Sequence, residues 1–199
     1  MKFPLLSLLL ILTGCASGAP PRTYMLGAPA DPAAGVHADG HRPIVEFRTV
    51  SVPDHLDTTD ISWRDGRNEL KISGAGRWGE RLSYGIRDAL NEALTRRLPD
   101  IQVTRTVLSS QSARGLLVDV EAFDCRPDGR CVLTAYWAVL RDDRRTIETT
   151  ERGTFIAEAS PGSTKPASDA IIVASMADAV EQLADRVAIT LRRVIARSR

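Results

Sequence analysis

Two stretches of this chain carry apolar side chains at helical spacing, and together they restrict the fold more than any other feature. From Trp78 to Leu98 the apolar positions are Leu82, Ile86, Ala89, Leu90, Ala93, Leu94 and Leu98. From Ser168 to Ala196 they are Ile172, Met176, Val180, Leu183, Val187, Leu191 and Val194. Steps of three and four residues place each set on one side of an α-helix. In the first stretch Arg87, Asp88, Glu92 and Arg96 fall on the other side, and Pro99 ends it because proline cannot donate the next helical hydrogen bond. A helix with one apolar side is stable only when that side is covered, and a sheet is the economical cover for two of them.

The remaining segments supply strands. Ile44, Val45, Phe47, Val50 and Val52 form a β-rich run closed by Pro53, and "DHLD" after it reads as a single turn. "DISWRDGRNELKIS" reads as two short strands around Asp65-Gly66, a hairpin signal. "IQVTRTV" is a further strand. "LLVDVEAFDC" and "CVLTAYWAVLRD" alternate and face each other across the Pro-Asp-Gly turn of "RPDGR". "RTIETTERGTFIAEA" continues as a strand, bent near Gly153, and "SPGSTKPAS" is a loop before the second helix. The expected fold class is α/β (α+β). Its form is a two-layer sandwich of a mixed, largely antiparallel sheet with two long amphipathic helices on one face. At 43% apolar and 26% charged residues the composition is that of one ordinary globular domain.

The start of the chain is different. Lys2 precedes an apolar run from Phe3 to Leu12. As a helix, ten residues span about 15 Å, half the hydrocarbon core of a bilayer, which suits a signal-peptide core and is too short to cross. Leu12-Thr13-Gly14-Cys15 resembles the lipobox of bacterial lipoproteins. That resemblance implies cleavage before Cys15, a diacylglycerol on its sulfur and an acyl chain (palmitate) on the new amino terminus. Two or more acyl chains anchor stably, at about 0.8 kcal/mol per buried methylene. The alternative is an ordinary secretory signal in which Cys15 is incidental. Ala16, where an Asp would favour inner-membrane retention, resembles the pattern sorted to the outer membrane. The boundaries expected are 1–14 for the signal peptide, 15–42 for the lipidated cysteine and a flexible tether rich in Ala, Pro, Gly and Asp, and 43–199 for a single domain. Within the tether, "RTYMLG" is apolar enough to form an early strand.

Export also bears on the other cysteines. Cys125 and Cys131 flank the hairpin turn, and outside the cytoplasm a pair so close forms a disulfide. Closing that short loop is worth about 2.4 kcal/mol in the chain-entropy treatment. Two free thiols are the alternative. The C-x5-C spacing argues against a redox pair, and no histidine lies near enough for a metal site. Loss of Lys2 with the leader takes the formal charge from +1 to zero, so nothing draws the chain to nucleic acid.

Catalytic groupings are not found. The three histidines are His37, His41 and His55. The first two read as solvated loop residues, since Gly35, Gly40 and Pro43 argue against a helix that would pair them on a metal. His55 stands between Asp54 and Asp57, but aspartates in such turns serve backbone amides. "SGAGRWGE" contains the spacing G-x-G-x-x-G, yet Arg77 and Trp78 would crowd a phosphate-binding turn. The chain reads as neither enzyme nor holder of a metal or soluble cofactor. Trp137 belongs to the core of an alternating strand, and Trp78, read as opening the first helix, is either a packing anchor or part of a protein-facing surface.

Taken in order, the lipobox, Tyr24-Met25-Leu26, the series Val50, Pro53, Leu56, Asp57, and the pair Trp78, Leu82 resemble the ABC-type transport auxiliary lipoprotein family. The likeness departs at "TTDISWRDG", where members usually continue Leu-Asp with Arg-Pro. It implies a non-catalytic lipoprotein of the outer membrane's inner leaflet, facing the periplasm. Its role would be that of an accessory subunit of an ABC-type lipid transport system that includes an MCE-domain protein and a permease. The subunit would dock the periplasmic conduit at the outer membrane and support membrane integrity, and some members form homo-oligomeric rings. A lipid-anchored module that binds an apolar ligand itself is the alternative. Tyr24, Leu26, Pro53, Leu56, Asp57, Trp78 and Leu82 are the residues that this likeness marks as partner-facing or as packing.

Overall fold

The computed structural model of the protein describes residues 20–27, 42–107, 111–159 and 166–197. The strands and helices are β1 (Arg22–Tyr24), β2 (Ile44–Ser51), β3 (Asp60–Asp65), β4 (Glu69–Trp78), α1 (Leu82–Arg97), β5 (Gln102–Thr104), β6 (Arg114–Cys125), β7 (Arg130–Leu140), β8 (Ile147–Glu158) and α2 (Asp169–Ala196). Cys15, His37 and His41 lie outside the described residues.

The main sheet has five strands in the order β5-β2-β6-β7-β8. β2 runs parallel to both β5 and β6, while β6, β7 and β8 form an antiparallel meander. α1 lies over β2 and β5, α2 over β7 and β8, and the helices touch each other, so one face of the sheet is covered. Every stripe residue of both helices is buried; Ile86, Leu90, Leu183 and Leu191 have no exposed surface. They meet Phe47, Leu116, Leu133 and Trp137 from the sheet, all at 1% exposure or less. Each such side chain contributes about 1.5–3 kcal/mol. The Trp137 indole N–H donates to the Thr190 hydroxyl at 3.3 Å, and that hydroxyl donates to the Arg186 carbonyl at 3.1 Å, so both buried polar groups are paired.

Two features differ from the sequence reading. First, β1, β4 and β3 leave the main sheet and form a three-stranded sheet of their own. Residues 22–27, inside the stretch read as tether, are therefore part of the fold: β1 pairs with β4, and Leu26 is buried. Second, Trp78 does not open α1 but is the last residue of β4; the helix starts at Leu82, after Gly79, Glu80 and Arg81 turn the chain. The β7–β8 ladder keeps its register at Gly153, and its register shift lies at Val139 and Leu140. A side chain at Gly153 would meet the Phe155 ring at 2.8 Å, so the glycine leaves room for that ring beside Trp137.

The Cys hairpin is a tight turn. Gly129 takes φ +87°, the left-handed region that glycine adopts without strain, and Cys125 and Cys131 stand directly opposite and are joined as a disulfide. The turn packs on the start of α2, where the Ala167 amide donates to the Pro127 carbonyl at 2.7 Å.

Candidate functional site

The residues marked by the sequence come from three separate segments, 24–26, 53–57 and 78–82, and the fold brings them to one seam at the start of α1. The seam forms because β4 ends beside β1 and beside the turn that leads into β3. The Trp78 amide donates to the Thr59 carbonyl at 2.8 Å, the Gly79 amide to the Tyr24 carbonyl at 2.8 Å and the Leu82 amide to the Thr58 carbonyl at 3.2 Å. Pro53 opens the turn, and its carbonyl accepts the amides of Leu56 at 2.8 Å and Asp57 at 3.1 Å.

Leu26, Leu56, Trp78 and Leu82 are buried at this seam, with Tyr24 partly buried against them. Of the two readings of Trp78, the packing anchor fits its 4% exposure. Gly27 has φ +88°, and a Cβ there would stand 2.9 Å from the Ala89 Cβ, so only glycine lets the chain after β1 lie so close to α1.

Asp57 has a definite task. Arg81 is the N-cap residue of α1 and gives the helix no side-chain cap. Asp57, 26 positions before Ser83, supplies it: its carboxylate accepts the Ser83 amide at 2.9 Å. The same carboxylate accepts the Arg81 guanidinium at 2.9 and 3.1 Å. Burial pushes the Asp57 carboxyl up, but the Ser83 amide and hydroxyl and the Arg81 charge outweigh it and hold the group below its ordinary value. An anion at a helix start is also favoured by the helix dipole. His55 beside it is exposed.

The glycines of "SGAGRWGE" hold no phosphate loop. Gly74 and Gly76 lie within β4 and Gly79 just beyond it. Gly76 is small for a packing reason: a Cβ there would meet the Tyr24 ring at 2.8 Å. Among the described residues no three His, Cys, Asp or Glu side chains are placed to hold a metal, and no helix is long and apolar enough to cross a membrane.

Sequence reasoning missed the exposed side chains around the seam. Met25 is 58% exposed and Tyr84 49%, and the Arg87 guanidinium lies 5.1 Å from the centre of the Tyr84 ring. Met25 could have been found from its place in Tyr-x-Leu, between two inward residues of an extended segment. Tyr84 could have been found from its position off the α1 stripe.

The family model for the ABC-type transport auxiliary lipoprotein component matches residues 24–188, from the end of β1 to late in α2. A solved structure described as an uncharacterized protein aligns with TM-score 0.69 at 18% identity, over 87% of this chain and 99% of that one. Protein XCC0632 from Xanthomonas campestris, of family DUF330, aligns with TM-score 0.65 at 17% identity, over 90% of this chain and 99% of that one. At such identities these two show a shared fold. No curated protein sequence matches the chain significantly.

Proposed function

Because the chain belongs to the ABC-type transport auxiliary lipoprotein family, we propose that it is the outer-membrane accessory subunit of an ABC-type lipid transport system with an MCE-domain component. In this reading Cys15 carries the diacylglycerol and the N-acyl chain, residues 1–14 are removed, and the domain faces the periplasm. There it docks the conduit formed by the MCE-domain partner, which the permease serves from the inner membrane. The observation that carries the reading is the reach of the family match, which takes in the whole seam at α1 and most of both sheets. Two properties of the fold support a docking role. The space between helices and main sheet is filled by side chains such as Trp137, Phe47 and Leu183. The seam residues hold the fold together and are not arranged around a reacting atom.

The direct test is affinity capture of the native lipoprotein from detergent-solubilised envelopes, with mass spectrometry of what comes with it. An MCE-domain protein and an ABC permease are expected, and their repeated absence would overturn the assignment. A Cys15→Ala variant should leave the membrane fraction; its retention there would overturn lipid anchoring. The assembly proposed is a homo-oligomeric ring, and mass measurement of the native particle would refute it by returning a monomer.

A further inference from the structure

The pairing of β1 fixes from which side the chain enters the fold. β1 runs parallel to β4, with Arg22 opposite Gly76, Thr23 opposite Arg77 and Tyr24 opposite Trp78. The chain therefore enters β1 from the side towards which β4 begins, the side of the β3–β4 hairpin tip at Gly66–Asn68.

Two lengths then matter. Seven residue-to-residue steps lead from Cys15 to Arg22, and whatever path they take they span at most about 25 Å. The hairpin is measured along β3, because β4 carries extra residues between Ile72 and Arg77 while β3 advances only from Ser62 to Asp60. From Asp60, level with Arg77 and Thr23, to Asp65 at the tip is five residues, or about 17 Å. Arg22 lies one residue, about 3 Å, nearer the tip than Thr23, so an anchor at Cys15 can lie level with the tip or at most about 11 Å beyond it. The other end of the domain is out of reach. α2 starts beside β4, where the Ser73 hydroxyl donates to Asp169 at 2.8 Å, and its 28 residues extend about 42 Å, to the neighbourhood of the α1 C-terminus.

The hairpin surface suits the place. Leu70 and Ile72 are 37% and 62% exposed and, two apart on β4, point to the same side. Exposed Arg67 and Glu69 sit at the tip, and Lys71, paired with Asp65, points to the opposite side of the strand. Two apolar side chains beside a hairpin tip that carries an arginine are what the boundary between headgroups and acyl chains accommodates. We propose that the β3–β4 hairpin rests on the bilayer that holds the anchor, with Leu70 and Ile72 in the headgroup boundary, so that the domain stands with the C-terminal ends of both helices away from the membrane.

This proposal rests on lipidation at Cys15, and the test separates the two. The native lipoprotein is reconstituted into vesicles of phosphatidylethanolamine and phosphatidylglycerol, and flotation is measured beside amide hydrogen exchange. The Cys15→Ala chain free in solution is the reference. The expected result is flotation together with exchange of the exposed 66–72 amides slowed about tenfold, while residues 98–101 at the far end are unchanged. Flotation with the hairpin amides unchanged would overturn the orientation and leave the anchor intact, assigning Leu70 and Ile72 to a protein partner or a second copy. Slowing spread evenly over the domain would overturn it too. Failure to float would overturn the anchor, and the orientation with it.

Discussion

Replacing Asp57 tests whether the seam is built as described. In an Asp57→Ala variant the Ser83 amide loses its acceptor at 2.9 Å and Arg81 loses its ion pair. Loss of an N-cap costs about 1 kcal/mol. Loss of the anion at the helix start adds about 0.5 kcal/mol. The pair with Arg81 adds about 0.5 kcal/mol at most, since the Arg81 side chain is 59% exposed while that of Asp57 is 17%. The expected loss at neutral pH is therefore about 2 kcal/mol, or about 5 °C in Tm for a domain of this size. Asp57→Asn keeps an oxygen for the Ser83 amide and loses the charge, so its cost is smaller, about 1 kcal/mol.

The pH dependence gives a second readout. The folded Asp57 carboxyl titrates below its ordinary 3.8, so in acid the unfolded chain takes up the proton first. Its contribution is complete above the unfolded value and is lost as pH falls through the folded one. Urea unfolding followed by circular dichroism should show wild type and Asp57→Asn separated by a constant interval above about pH 5, narrowing below about pH 4. An Asp57→Ala variant within about 0.5 kcal/mol of wild type at pH 7, or an interval for Asn that does not narrow in acid, would refute the capping account.

Three further outcomes are expected. Cys125 and Cys131, buried and joined, should resist alkylation in the native protein until reduced, and the double Ala variant should lose about 2.4 kcal/mol in denaturant unfolding. Gly27→Ala forces a side chain into φ +88° and against Ala89, so it should cost about 1–3 kcal/mol and raise proteolysis within residues 20–27, whereas Gly66→Ala at the open hairpin tip should leave that cleavage unchanged. The Asp143 carboxyl, which accepts the Thr146 hydroxyl and the Arg145 and Thr146 amides, is held at about 2; in an NMR titration Thr146→Val should move it up towards 3.8.

Much of the fold could be read where one periodicity ran undisturbed. The stripes of α1 and α2 are wholly buried because each covers a single surface, and the β6–β7 hairpin announced itself by alternation around Pro-Asp-Gly. The three-stranded sheet was illegible for physical reasons. β1 and β4 are parallel partners more than fifty positions apart, so no turn joins them and no turn residue signals the pairing. β4 is exposed from Glu69 to Ile72, which erases the alternation a half-buried strand would show. Trp78 misled because four residues before Leu82 is also a helical step; what ends the strand there is the pairing with Tyr24 and Thr59, contacts no local pattern encodes.

Asp57 shows how a motif can be visible while its work is not. The turn around it could be read, but the amide it caps lies 26 positions further on, in a helix whose own N-cap residue has no suitable side chain. The same holds for the other marked residues. Leu26, Leu56, Trp78 and Leu82 are buried, so the features that give the chain its likeness are those that fasten residues 24–27 to α1. That placement has a mechanical consequence. With the proposed anchor at Cys15, tension on it would reach the domain through the three β1 pairs with β4 and the Leu26 contact with α1, pulling along the strands. Strands loaded along their length share the force among several hydrogen bonds at once, which suits a domain held, as proposed, by a lipid anchor before β1.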